Sequence, residues 1–236
     1  MKKQNRKALI LKVLKVIFII LILVSLINLL IWYLESNKTK KIIDNTNKYL
    51  IVKDKKYRLK EEIKTVNEDI IGWIKVDNTN INYPIVQTNN NKYYLNHDLE
   101  KNYNSAGWIF MDSENKLDDQ NIVIYGHHRR DGIMFGSIDN LLKNHKGGKI
   151  HLIIGDKTID FNIFSIYKTE KEYNYRNRNY RNFNKKIQEF KNNSLIDYKV
   201  DIKNKDQIIT LSTCDNDNKN RIVVQGIKIN WKYLFL

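Results

Sequence analysis

Nineteen residues, Val16 to Leu34, are apolar apart from Ser25 and Asn28, and six cations precede them: Lys2, Lys3, Arg6, Lys7, Lys12 and Lys15. As a helix rising ~1.5 Å per residue, the run spans roughly 28 Å, close to the ~30 Å hydrocarbon core of a bilayer. Only Lys38, Lys40 and Lys41 follow it closely, partly offset by Glu35. That asymmetry predicts a cytoplasmic N-terminus with the rest of the chain outside. Trp32 and Tyr33 fall where an interfacial aromatic belt belongs. The run is long for the core of a cleaved signal peptide and no small-x-small site follows it, so an uncleaved anchor is expected.

The remaining chain is long enough for one domain with its own core. The expected division is a cytoplasmic basic tail (1–15), a transmembrane signal anchor (16–34), a helical stalk (35–67) and an extracellular domain (68–236). A net charge of +15 would suggest nucleic acid for a cytosolic protein. Outside a cell it points instead to anionic lipid headgroups and anionic wall polymers. Tyr173–Lys186 interleaves Tyr, Arg, Asn and Lys, and reads as a solvated loop and helix face rather than a nucleic-acid surface.

From Ile70 the pattern becomes short, β-branched runs between turn residues. The runs are Ile70–Val76, Ile81–Gln87, Gly107–Met111, Asn121–Tyr125, Lys149–Ile154, Thr158–Tyr167, Gln207–Cys214 and Arg221–Asn230. Pro84, the only proline, marks its run as an edge or a bend. Eight short strands predict a mainly β protein with a closed or nearly closed eight-stranded barrel. Some thirty residues, Glu170 to Val200, separate the sixth and seventh runs, too many for a plain hairpin. Phe183, Ile187 and Phe190 recur there at helical spacing, which predicts a helix inserted between those strands.

Cys214, the sole cysteine, ends the run Ile208-Ile209-Thr210-Leu211-Ser212-Thr213-Cys214. With no partner for an internal disulfide, it is either an inert core thiol or a nucleophile. A nucleophilic thiol needs a base and a donor for the developing oxyanion. His127 and His128 follow Gly126 at a strand end, whereas His97, His145 and His151 read as surface residues. Arg221 opens the last strand, seven residues after Cys214, where a hairpin would bring the two together and a guanidinium could hold an oxyanion. The sole cysteine and scattered histidines offer no zinc-ligand spacing, and no metal or other cofactor is expected.

Thr210-Leu211-Ser212-Thr213-Cys214 resembles the TLxTC motif of sortases, the membrane-anchored cysteine transpeptidases of Gram-positive bacteria. Gly126-His127, Arg221 and the N-terminal anchor match the family in order and spacing. Class B sortases are resembled by Tyr125-Gly126-His127-His128 with Asp131-Gly132 and Met134-Phe135-Gly136. Gly72-Trp73-Ile74, Ile81–Gln87, Tyr93-Tyr94-Leu95 and the helical insertion resemble that class as well.

The resemblance implies a sortase catalytic domain at 68–236 with His127, Cys214 and Arg221 as catalytic residues. It implies substrate contacts from Ser212, Thr213, Asn174, Tyr175, Asn91 and Leu95. The implied reaction cleaves a C-terminal sorting signal of surface proteins through a thioester and passes them to an amine of cell-wall peptidoglycan or its lipid-linked precursor. The choice of His127 over His128 rests on analogy, since the first follows the glycine. With the unperturbed reference values of ~8.5 for a thiol and ~6.5 for an imidazole, only about 1% of sites would carry thiolate and imidazolium together near pH 7.5, so either the site shifts those values or the enzyme works through a minor form. The alternatives are a class C-like pilus sortase, another cysteine enzyme of the wall, or a non-catalytic anchored wall-binding module. Trp231–Leu236 is too short for the second hydrophobic segment usual in class C.

Overall fold

The computed structural model describes residues 2–53, 56–170, 172–202, 207–214 and 220–229, and at 2–6, 8 and 214 the backbone alone. The first helix, α1 (Lys2–Thr46), contains the apolar run and continues past it. Its large apolar side chains between Leu9 and Leu34 are exposed, and the helix is long and apolar enough to cross a membrane. Beyond Leu34 burial becomes periodic. Ser36, Thr39, Ile42 and Thr46 are buried, three or four residues apart, so one stripe of the helix docks on the domain.

The helical reading of the stalk ends at Thr46. A short 3-10 turn leads into a hairpin of β1 (Leu50–Lys53) and β2 (Lys56–Leu59), followed by another 3-10 turn at Glu61–Thr65. Ile51, Val52 and Tyr57 favour strand over helix, and the Leu59 amide donates to the Gly155 carbonyl at 2.8 Å, tying the hairpin to the barrel.

The barrel strands are β3 (Ile70–Val76), β4 (Asn82–Val86), β5 (Phe110–Met111), β6 (Asn121–Tyr125), β7 (Lys149–Ile154), β8 (Lys157–Glu170), β9 (Ile208–Cys214) and β10 (Asn220–Lys228). They close into a barrel, as the strand pattern predicts, in the order β10-β8-β7-β3-β4-β5-β6-β9. Of the expected run Gly107–Met111 only the last two residues pair as strand. β4 is joined to β5 by the single pair Val86–Phe110, so Pro84, which has no N–H to donate, costs that side of the ladder little. Of the segment 215–220, which reads as a loop, Asn220 already belongs to β10 and residues 215–219 lie outside the described residues, as do 230–236.

Two packed layers result. Trp73, Ile74, Ile85, Ile124, Leu152, Phe161, Ile209, Leu211 and Val224 belong to the main core. The inserted helix, α3 (Phe183–Asn192), seats Ile187 and Phe190 in a second cluster with Phe164, Tyr167, Tyr175, Ile208, Val223 and Ile227. Residues 208 and 209 thus serve different cores, as alternating strand positions do.

His151, expected at the surface, is buried on β7. Its Nδ1 lies 2.8 Å from Asp160 Oδ1 and its Nε2 3.3 Å from Asp77 Oδ1. Burial by itself would lower the imidazole pKa, but hydrogen bonding and charge from Asp160 and then Asp77 outweigh it and raise it. The hydrogen bond from His151 holds the Asp160 carboxyl below its usual range, against burial. A raised histidine gives stability that is complete below its unfolded pKa of ~6.5 and is lost as pH rises through the folded value. The thermal midpoint of the detergent-solubilised chain should therefore fall as pH rises above about 6.5. In His151→Gln, tryptophan-fluorescence melts should show a lower midpoint at pH 6 and no such slope.

Candidate active site

β6 and β9 run parallel, with Tyr125 level with Ser212. Two residues beyond each of these positions the chain reaches His127 and Cys214, so the pairing brings both to one rim of the barrel. β10 runs antiparallel to β9 and sets Arg221 directly opposite Cys214. With neighbouring strands ~4.8 Å apart, three residues from distant parts of the sequence share one rim. Of Cys214 this concerns the backbone; its side chain lies outside the described residues.

A cleft of about 430 Å³ opens at this rim. His127, Gly126, Thr213 and Arg221 line it together with Phe110, Tyr125 and Ser212. Asn91, Lys92 and Leu95 also line it, as do Tyr175 and Arg176 from the insertion. Larger hollows, of about 590 Å³ beside Arg58 and about 780 Å³ beside Tyr198, contain none of His127, Thr213 or Arg221. Asn174 stands exposed beside Tyr175 and does not line the cleft; Asn91, Leu95, Tyr175, Ser212 and Thr213 all do.

The two histidines of the doublet have different surroundings. His127 Nε2 lies 2.6 Å from the Leu95 carbonyl. A carbonyl only accepts, so Nε2 carries a hydrogen and Nδ1 is the ring nitrogen left to exchange a proton. His128 instead sets Nε2 3.0 Å from Asp139 Oδ1, with its side chain buried under the turn that enters α2 (Asp139–Asn144). His97 stacks on Tyr93, and His145 closes α2 in a left-handed conformation.

The backbone around His127 is tightly specified. The Phe135 amide donates to the His127 carbonyl at 3.0 Å. Gly136 lets this return pass under Arg129, because a Cβ there would lie 2.0 Å from the Arg129 carbonyl oxygen. Gly107, at φ +57°, presses against the ring itself. A Cβ on it would stand 2.6 Å from the Tyr94 carbonyl, 2.8 Å from the Leu95 carbonyl and 2.9 Å from His127 Cδ2.

The walls are held by buried polar bonds. Tyr175, in the second core, places its hydroxyl 2.9 Å from Ser212 Oγ. Asn121, fully buried at the start of β6, donates to the carbonyls of Tyr175 and Asn177 and accepts from Thr210 Oγ1. On the opposite wall Asp112 accepts from Asn91 Nδ2 and from the Tyr125 hydroxyl, each at 2.9 Å. Burial, followed by the Asp112 charge, pushes the Tyr125 phenol far up, so it stays a neutral donor. Thr213 Oγ1 is buried with no hydrogen-bond partner among the described residues.

Sequence reasoning missed Tyr125, Asp112, Phe110, Arg176 and Gly107. In the sequence Tyr125 stands out only as part of a motif, and Arg176 sits in a stretch that reads as solvated surface. Nothing local marks Asp112, whose role depends on contacts made across the fold.

Residues 74–229 match the family model described as the Sortase domain. The chain is 37% identical over 175 residues to sortase B of Staphylococcus aureus, covering 70% of this chain and 72% of that protein. Among solved structures, sortase B of Bacillus anthracis in complex with AAEK1 superposes with a TM-score of 0.72 at 28% identity, covering 84% of this chain and 99% of that one. The Staphylococcus aureus sortase B–substrate complex superposes at 0.66 with 35% identity, covering 72% and 84%. A cysteine-bearing rim on a closed eight-stranded barrel, together with this kinship over two thirds of its length, shows that the chain belongs to the sortase family of cysteine transpeptidases, in its class B.

Proposed function

We propose that the chain is a single-pass membrane enzyme that cuts the C-terminal sorting signal of surface proteins and joins the new C-terminus to an amine of cell-wall peptidoglycan or its lipid-linked precursor. The N-terminus is cytoplasmic and the catalytic domain extracellular in this reading, which the charge asymmetry about Val16–Leu34 and the exposed apolar helix support. The observation that supports this chemistry is the strand pairing that sets the Cys214 backbone opposite Arg221 and brings it to the rim where His127 and Arg221 line one cleft. The likeness to a sortase B–substrate complex supports the substrate as occupant of this cleft.

In this reading the Cys214 thiolate adds to the scissile carbonyl carbon. The tetrahedral oxyanion is held by the Arg221 guanidinium, which cannot lose its proton at working pH. The carbon–nitrogen bond then breaks as His127 Nδ1 gives its proton to the departing amine, leaving a thioester. A neutral acceptor amine attacks the thioester, His127 Nδ1 takes its proton, and the thiolate leaves. Tyr175, Ser212, Thr213, Asn91 and Leu95 contact the sorting signal; Asn174, exposed at the wall's edge, would contact only a substrate that overhangs the cleft.

The test is the full chain in micelles with LPxTG-like and NPxTN-like fluorogenic peptides, with and without an amine. Cys214→Ala and His127→Ala should each lower kcat/KM by at least about a thousandfold. His128→Ala should stay within about tenfold, because its ring faces Asp139. Full cleavage by Cys214→Ala would sink the enzyme reading, and hydrolysis with no amine-dependent product would replace transferase by protease. Gly107→Ala should lower kcat by about a hundredfold, since its Cβ overlaps both Leu95 and the His127 ring. A single-turnover assay of acyl-enzyme formation checks this.

A further inference from the structure

One turn of α1 reaches both loops that hold His127. Ser36 Oγ donates to Asp131 Oδ2 at 2.7 Å, and the Asp131 side chain is only 7% exposed. Arg129 donates to the same carboxylate from Nε and Nη2, and its guanidinium lies 5.9 Å from the ring centre of Trp32, one turn earlier on α1. Asp131 Oδ1 accepts from the Ile133 amide, and two residues on, the Phe135 amide returns to the His127 carbonyl. This loop begins at the histidine and is fastened to α1 at its middle.

The second loop is fastened by the same turn. Asn104 Nδ2 donates to Thr39 Oγ1 at 3.1 Å, and both residues are fully buried. Ser105 Oγ donates to Glu35, and the Lys38 ammonium lies 2.7 Å from the buried Oδ2 of Asp98, a charge contact rather than an aligned hydrogen bond. Asn104 in turn accepts from the Ala106 amide through its side chain and from the Gly107 amide through its carbonyl. Gly107 is the residue packed against His127 Cδ2 and the Leu95 carbonyl, and that carbonyl accepts from His127 Nε2.

We propose that Ser36 and Thr39 of the anchor helix are positioning residues for His127, so that the helix which would hold the enzyme in the membrane also sets the orientation of its proton carrier. Neither residue lines the cleft, yet each reaches His127 through three contacts, Ser36 by way of Asp131, Ile133 and the Phe135 amide and Thr39 by way of Asn104 and Gly107. A buried hydroxyl bonding a buried carboxylate or amide is directional, whereas the apolar contact of Ile42 lower on the same stripe only holds the helix to the domain.

The proposal rests on the catalytic reading of His127, and the test separates the two. Ser36→Ala, Thr39→Val and their combination are made in the full chain in nanodiscs, with Ile42→Ala as the packing control. Histidine hydrogen exchange at the His127 C2 position, followed by mass spectrometry, reports its pKa and solvent access without any substrate. The double variant should exchange at least about threefold faster at His127 and show a kcat about ten- to a hundredfold lower, with KM for the peptide within twofold. Ser36→Thr with Thr39→Ser, which keeps both hydroxyls, should restore kcat. Ile42→Ala should lower the melting midpoint and leave His127 exchange and kcat unchanged. Unaltered His127 exchange in the double variant would overturn the proposal, as would an equal kcat loss in Ile42→Ala. If the wild-type chain cleaves no peptide, the functional reading has failed, and the exchange rates still decide the positioning role.

Discussion

The parallel pairing of β6 with β9 is the constraint on which the site depends. Six of the eight pairings in the barrel are antiparallel, and four of those six join strands consecutive in sequence, as hairpins do. β6 and β9 instead come from positions more than eighty residues apart and point the same way, so their C-terminal ends lie at one rim. Because strand side chains alternate with a period of two, a slip of one residue would turn every β9 side chain to the other face. The register is therefore held by two cores at once. Ile209 and Leu211 are locked in the barrel interior and Ile208 in the cluster under α3. Packing far from the rim thus fixes what stands at it.

The insertion between β8 and β9 shows how a wall is added to a finished barrel. Its helix contributes an apolar face, but the loop ahead of it must cross polar ground, and Asn121 satisfies the Tyr175 and Asn177 carbonyls there. The Asn121 carbonyl oxygen takes the Thr210 hydroxyl, so a single amide joins β6, β9 and the insertion. Buried amides of this kind are costly unless every bond is made, which makes the loop's position specific rather than merely compact.

Much of this was legible in the sequence, for identifiable reasons. The strands announced themselves by β-branched runs, and α3 by Phe183, Ile187 and Phe190 on one face. Cys214 stands out as the sole cysteine, whereas His127 and Arg221 stand out by their places at strand ends and by the family resemblance. The hairpin at 50–59 was read as helix because its charged residues mask a short Ile51-Val52 strand, and its fold depends on the Gly155 carbonyl. His151 was read as exposed because the carboxylates that enclose it lie 9 and 74 residues away. Gly107 and Asp112 were invisible for the same reason: their meaning is entirely tertiary. The docking of α1 is legible in residues 35–46, a segment without Pro or Gly that reads as a helix able to pack on the domain.

The bond from His127 Nε2 to the Leu95 carbonyl has a consequence for proton economy. Under the proposed roles the ring has one working nitrogen, and the other never changes hands. The histidine cannot pass a proton through itself from one side to the other, as a relay would. It must empty Nδ1 to the departing amine and refill it from the arriving one. Under those roles the proton that leaves with the first amine is replaced by one from the second.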